Sequence, residues 1–306
     1  MTCPICKSLG AYWTSAQDIE YQTSNQTFDF FSCECGVLYM ADPPLDQLST
    51  IYPPDYYSYQ TGRESIVSRV KNLLDVRSLR RLFRNVESPK ISVLDVGGGT
   101  GRALELCRKA DSRVSHGTVV DLSVPDDQTH SWIEYRRMRI EDFSSEQPFD
   151  VVLMFNLIEH LSDPKTILEK ISENLSQNGF LVIQTPNWRS LDARMFRRAN
   201  WGGLHTPRHW VLFDENSISR LLGDVGYQIE SVKYVQGAPF WCVGICAALE
   251  RRRLLRRKQT AIFSTWQFQA LLPILAAFDI ARARLGFKTS QQVVVARWTK
   301  TVKQNN

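Results

Sequence analysis

The sequence predicts an α/β protein: a doubly wound, mainly parallel sheet with a small N-terminal β module and a helical insertion near the C-terminus. Three observations lead there. From Ile91 onward, short Val/Ile/Leu-rich runs alternate with helical stretches. The first run, Ile91–Val96, enters a glycine turn, Gly97-Gly98-Gly99-Thr100-Gly101, and then a helix from Arg102 to about Lys109. The first 40 residues hold four of the seven cysteines, in two close pairs. A length of 306 residues suggests about two domains. A hydrophobic content of 43% with 23% charged residues is ordinary for a globular chain. The net charge of +5 permits nucleic acid without demanding it. The Met1-Thr2-Cys3-Pro4 start has no basic-then-apolar leader. Clustered cysteines then point to a reducing, cytoplasmic setting and to metal rather than disulfides.

Taken in order, residues 1–42 read as a zinc-ribbon-like module. Cys3-Pro4-Ile5-Cys6 and Cys33-Glu34-Cys35-Gly36 are two tight turns that can close a four-thiolate zinc site on Cys3, Cys6, Cys33 and Cys35. So small a module needs such a staple. The second pair is Cys-x-Cys, which tightens that turn and leaves open that Cys33 is not a ligand. Thr27–Phe31 alternates as a hairpin strand should. Residues 43–89 form a connector. Its tyrosines, Tyr56 and Tyr57 among them, suit a substrate-facing wall or a glue between modules equally well. A helix over Glu64–Val86 follows, and its basic polar face reads as a solvated surface.

The glycine spacing chooses the ligand. A dinucleotide turn needs Gly-x-Gly-x-x-Gly, and counting from Gly97 the third position is Arg102. The run fits Asp-x-Gly-x-Gly-x-Gly instead, on Asp95, Gly97, Gly99 and Gly101. In this it resembles motif I of the class I S-adenosylmethionine (SAM) methyltransferases. The resemblance implies a Rossmann-like sheet of seven strands with the last antiparallel, and a turn that cradles the methionine and ribose of SAM. Asp121 ends the next strand, where the family's acid accepts from the ribose hydroxyls. Asp142 resembles the acid that meets the adenine amino group, and Glu141 could substitute. Asn156, Glu159 and His160 follow the strand Phe149–Phe155, and residues just past the carboxyl ends of parallel strands face the ligand crevice. Glu159 and His160 could equally cap the next helix, Asp163–Ser176, which Asn178-Gly179 would close.

After the strand Phe180–Asn187 and a helix over Leu191–Ala199 comes Trp201-Gly202-Gly203-Leu204-His205-Thr206-Pro207-Arg208-His209-Trp210. Two histidines and an arginine in one Gly/Pro-containing loop read as a site. The loop resembles that of a bacterial subgroup whose members carry a cysteine-rich N-terminal module and methylate sugars or other small cell-surface precursors. His205 and His209 are the candidate general bases, with His160 third, and Arg208 is the candidate anchor for an acceptor phosphate or carboxylate. A structural role, pinning the loop to the sheet, competes with that reading.

Asp214 caps a helix closed by Gly226, and the strands Tyr227–Tyr234 and Gln291–Trp298 would form the terminal hairpin. Residues 90–236 thus make the SAM-binding core, 237–289 a helical insertion and 290–306 the final strand and tail. The insertion reads as two helices, with Pro273 kinking the second. Its Arg251–Lys258 run beside an uncharged stretch suits a peripheral contact with the inner membrane face through 251–278, a lid, or a homodimer interface. Gln267, Gln269 and Pro273 argue against a span.

The function expected is methyl transfer from SAM to a small-molecule acceptor: a sugar, a nucleotide-sugar, or a cell-surface or lipid precursor. Two alternatives stand beside it. An rRNA or tRNA methyltransferase is suggested by the zinc module, but the Asn156-Leu157-Ile158-Glu159 exit lacks an Asn/Asp-Pro-Pro-aromatic motif. A non-catalytic SAM-binding scaffold is the other.

Overall fold

The structure is a computed structural model, and it describes residues 1–53, 66–124, 131–198, 200–255 and 261–299. The N-terminal module supplies three antiparallel strands, β1 (Ala11–Gln17), β2 (Thr27–Ser32) and β3 (Val37–Met40). A single helical turn, α1 (Leu48–Ile51), leaves the module, and α2 (Ile66–Phe83) crosses to the sheet. α2 buries Leu79, Leu82 and Phe83 while Arg77, Arg80, Arg81 and Arg84 face solvent, so the basic stripe is a hydrated surface.

The main sheet then builds by alternation. β4 (Ile91–Val96) leads into α3 (Arg102–Ala110), followed by β5 (Val114–Asp121), β6 (Ile133–Arg137) and β7 (Phe149–Phe155). α4 (Pro164–Glu173) starts on the Asp163 cap with proline in its first turn, and β8 (Leu175–Pro186) returns through the sheet. Asn178-Gly179 does not end the helix. Asn174 does: its amide reaches back to the Lys170 carbonyl at 3.1 Å, and its main-chain oxygen takes the Phe149 N–H at 2.8 Å. Leu175 pairs with Phe149 and Phe180 with Val151, so Ser176–Gly179 bulge out of β8 around a left-handed Asn178 (φ +63°).

α5 (Leu191–Met195), the His205 loop, β9 (Val211–Phe213) and α6 (Glu215–Val225) come next. A capping box on Asp214 starts α6, and left-handed Gly226 stops it. β10 (Tyr227–Val235) and β11 (Gln291–Trp298) form the terminal hairpin, with α7 (Ala238–Arg251) and α8 (Trp266–Arg284) inserted between them. The strand order is β10-β11-β8-β7-β4-β5-β6, with β11 alone antiparallel.

One feature was not legible in the sequence. β9 leaves the core and pairs with β3, so the small sheet reads β1-β2-β3-β9. The module is therefore sewn to the core, and one apolar cluster runs from Phe30, Leu38 and Tyr39 through Phe213 to Ile183. Among the described residues, no helix is long and apolar enough to cross a membrane.

Candidate active site

The cofactor cradle forms where β4 and β5 end side by side. Gly97, Gly99 and Gly101 hold φ of +71°, +50° and +75°, a region in which L side chains are strained. A Cβ on Gly101 would also come 2.8 Å from the Tyr135 hydroxyl, which donates to the Thr100 carbonyl at 3.1 Å and fixes the turn. The Gly99 N–H donates to Asp121 Oδ2 at 2.9 Å, and Ser123 N–H donates to Oδ1 at 2.8 Å. Asp121 is thereby held at the strand end with its carboxylate beside the turn.

Asp95 lies behind that turn. Burial, and then the nearby Asp121 charge, push its carboxyl up to about 8. Its buried Oδ2 has no hydrogen-bond partner. An orphaned oxygen under a bare glycine turn, with a second acid at the adjacent strand end, fits a ligand carrying an amine and vicinal hydroxyls. Of the acids after β6, Glu141 takes a hydrogen bond from Arg139 at 2.7 Å, and Asp142 is exposed.

Beyond the ends of β7, β8 and β11 opens a cavity of about 390 Å³. Its floor is a chain of carboxamides: Gln184 Nε2 donates to Gln291 Oε1 (2.6 Å), and Gln291 Nε2 donates to Asn156 Oδ1 (3.0 Å). Asn156 therefore lies at the boundary between the cradle's strands and this second space. Phe240, Val243 and Phe268 of the insertion close one side, and Glu20, His205 and His209 line another.

Glu20 is the site residue that sequence reasoning missed. It comes from the N-terminal module, 185 positions before His205, and its Oε2 lies 2.6 Å from His205 Nδ1 with both side chains buried. His205 sits in the left-handed region (φ +37°), rare for a residue with a side chain and common where a site dictates the backbone. The other two histidines are placed differently. His209 Nδ1 bonds the Gly203 carbonyl (2.8 Å), and His160 Nδ1 approaches the Arg208 carbonyl (3.0 Å) and the Tyr52 hydroxyl (2.8 Å). Burial, reinforced by His205, drops His160 to about 3, and burial, reinforced by His160 and His205, likewise pulls His209 well below the ordinary imidazole range. Both are neutral imidazoles at physiological pH.

Arg208 does not anchor an acceptor. It is fully buried, and its five N–H donors go to the Ile51 and Thr206 carbonyls, the Thr23 hydroxyl and both oxygens of Asp18, with the Tyr21 ring 4.6 Å from its guanidinium carbon. Burial alone would raise Asp18, but the Arg208 charge and the hydrogen bonds on its carboxylate overcome that and hold it below its ordinary value. Nor does Glu159 face the cavity. It is wholly buried, takes the Thr185 hydroxyl on Oε2 (2.9 Å), and is pushed up to about 8 by burial. Tyr56 and Tyr57 lie outside the described residues.

In the module, Cys3 Sγ lies 3.7 Å from Cys35 Sγ and Cys6 Sγ 3.3 Å from Cys33 Sγ, with all four sulfurs within 4.8 Å of one another. Tetrahedral zinc with ~2.3 Å bonds sets sulfurs ~3.8 Å apart, so the four thiols fit that ion, Cys33 included.

A family described as "Methyltransferase domain" matches residues 67–232, more than half of the chain. The chain belongs to it. Among the methyltransferases it resembles is the ubiquinone biosynthesis O-methyltransferase of Bradyrhizobium diazoefficiens, 30% identical over 122 residues, covering 36% of this chain and 48% of that protein. Another is the enzyme of the same name from Xanthomonas campestris pv. campestris, 33% identical over 112 residues, covering 33% of this chain and 46% of that one. The chain spans about half the length of the curated relatives it matches. The Burkholderia thailandensis 1,6-didemethyltoxoflavin-N1-methyltransferase shares the fold at a TM-score of 0.51 and 16% identity, covering 94% of this chain and all of that one. The family match, residues 67–232, ends within β10 and omits the thiol module. Glu20 and the insertion therefore lie outside the shared methyltransferase region.

Proposed function

We propose that this methyltransferase moves the methyl group of SAM to an oxygen or carbon of a small-molecule acceptor, a sugar or cell-surface precursor, held in the His205 cavity. The observation that carries this is the Glu20–His205 pair, a carboxylate orienting an imidazole at 2.6 Å on the wall of a cavity at the strand ends. When bound, SAM supplies a methyl already activated by sulfonium charge. The chain's own work is then to align the acceptor, take its proton and keep water away. Alignment falls to the Gln184–Gln291–Asn156 carboxamides, and such positioning is worth ~7–11 kcal/mol. Proton removal falls to His205, with Glu20 fixing its tautomer and stabilising the imidazolium. His209 and His160, held neutral far below pH 7, are poor bases by comparison. Phe240, Val243 and Phe268 exclude solvent.

Radiolabelled SAM incubated with a cell extract tests the reading. Label is expected in the small-molecule or lipid fraction. Label in nucleic acid would overturn it, and no transfer would favour the scaffold alternative. For the cofactor, Asp121→Ala removes both an anchor of the turn and the expected ribose acceptor. S-adenosylhomocysteine affinity in calorimetry should fall more than tenfold, since each charge-assisted bond lost costs ~1.5–3 kcal/mol. An unchanged affinity would count heavily against the cradle.

The same reading gives Cys3, Cys6, Cys33 and Cys35 a structural zinc ion, whose removal loosens the segment carrying Asp18 and Glu20. Cys6→Ser should therefore lose one zinc per chain by elemental analysis and most of the turnover with it. Leu254, Trp266, Ile274 and Phe278 are exposed on the insertion, which also carries the exposed Arg251–Arg253, and together these suit peripheral contact with an anionic membrane. Co-sedimentation with phosphatidylglycerol vesicles, abolished by Trp266→Glu, is the expected result.

A further inference from the structure

The donors around the β7 exit are more than the proton transfer requires. Glu159 Oε1 is a wholly buried carboxylate oxygen with no hydrogen-bond partner, 3.8 Å from His209 Nε2. A donor atom of His160 joins them, all three within 4.8 Å of one another. We propose that Glu159, His160 and His209 bind a divalent first-row transition-metal ion at the back of the acceptor cavity.

Four features support this assignment. The first is the donor set: two imidazoles and one carboxylate suit zinc, iron, cobalt or manganese, whereas magnesium and calcium call for oxygen ligands. The second is orientation. His209 Nδ1 meets the Gly203 carbonyl at 2.8 Å and His160 Nδ1 the Arg208 carbonyl at 3.0 Å, and a carbonyl only accepts. His209 Nδ1 therefore carries the proton, which leaves its Nε2 lone pair facing Glu159 Oε1, and the Arg208 carbonyl favours the same tautomer at His160, where the Tyr52 hydroxyl 2.8 Å away can accept as well. Main-chain carbonyls fix metal-binding histidines in this way elsewhere. The third is charge. Arg208 is matched by Asp18 at 3.1 Å, and His205 by Glu20 at 2.6 Å. Among the described residues no lysine or arginine pairs with the free oxygen of Glu159.

The fourth is size. Ligands bound at ~2.0–2.2 Å stand ~3.0–3.6 Å apart, so the Glu159–His209 pair at 3.8 Å needs to close by less than ~1 Å and no pair by more than ~2 Å. His209 lines the cavity, which gives an ion its way in and sets it next to whatever acceptor is held there. The alternative is a protonated Glu159 bridged to neutral histidines by water, and such a site takes up no metal.

The test uses the full chain, with the thiolate cluster loaded with zinc and excess metal removed, and Co²⁺ as the probe. One further Co²⁺ per chain is expected after gel filtration. Its visible d–d bands should lack the charge-transfer band that thiolate ligands give. Glu159→Gln, which keeps the side-chain shape, and His209→Ala should each weaken that uptake at least tenfold and leave the zinc content at one. Three outcomes overturn the proposal: no uptake by the wild type, uptake showing only the thiolate band, or uptake unchanged in both variants. The wild-type result stands even if a variant fails to fold. None of these readouts uses methyl transfer, so the site can fail while the proposed reaction holds, and the reverse.

Discussion

His205→Ala is expected to lower kcat by about 10²–10⁴-fold, the range a positioned base contributes, with S-adenosylhomocysteine affinity unchanged. The cavity lies beyond the carboxamide floor from the glycine cradle, so the substitution touches the acceptor side alone. Glu20→Gln separates orientation from charge. Glutamine can still hold the ring but cannot stabilise an imidazolium, so turnover should fall by a smaller factor, on the order of 10–10²-fold. The acidic limb of the pH–rate profile, where a general base becomes protonated, should keep its wild-type position in His209→Ala and move in Glu20→Gln. Equal turnover of wild type and Glu20→Gln would remove the dyad from the mechanism. Loss of cofactor affinity in His205→Ala would show a structural role instead.

That prediction rests on a contact no sequence pattern announces. The main sheet was legible because its signals are local: the apolar runs of β4, β5, β7 and β8, the Asp214 cap and Gly226 stop of α6, and three glycines at spacings only a left-handed turn explains. The acids Asp95 and Asp121 could be found by counting from those glycines. Glu20 has no such marker. It stands in an irregular stretch after β1, among the polar residues Asp18, Tyr21 and Thr23, and acquires its meaning only when the module folds onto the His205 loop. β9 was hidden for a related reason. Three residues are too few to show a period, and their pairing partner β3 lies about 170 positions away.

Arg208 shows the opposite difficulty. Its neighbours in the chain, two histidines and a proline, pointed to an acceptor anchor, whereas the side chain is wholly buried in contacts with the protein itself. A guanidinium fork looks the same in sequence whether it meets a substrate anion or the protein's own carboxylate. Only the structure shows Asp18 filling it, with Ile51, Thr206 and Thr23 completing the set. The loop thus both lines the cavity and fastens the module to the core. His205 faces the cavity, while Arg208 three positions on ties the core to the module that delivers Glu20.

Breaking that tie should have the largest effect on stability of any single substitution in the site. Asp18→Asn leaves a buried guanidinium without its counter-charge, and removing one partner of a buried pair costs about 3–5 kcal/mol. The denaturant midpoint should fall accordingly with the slope unchanged. The double variant Asp18→Asn/Arg208→Met should recover much of the loss, because removing both charges also removes the uncompensated one. The pair also sets a direction with pH. Asp18 is held below its ordinary value, so its contribution is fully present above the unfolded carboxyl value of ~3.9 and is lost as pH falls through the folded one. Asp95 and Glu159 run the other way. Each is raised to about 8, so the folded state holds their protons between about 4 and 8 and stability declines as pH rises through that window. Wild type should therefore be most stable in mild acid, with Asp18→Asn less stable than wild type throughout the range above about 4 and the gap closing only below it, and with Glu159→Gln flattening the decline toward pH 8. A destabilisation of Asp18→Asn below about 1 kcal/mol, the worth of an exposed pair, would mean that the module and the core are held together by their shared apolar cluster and sheet alone.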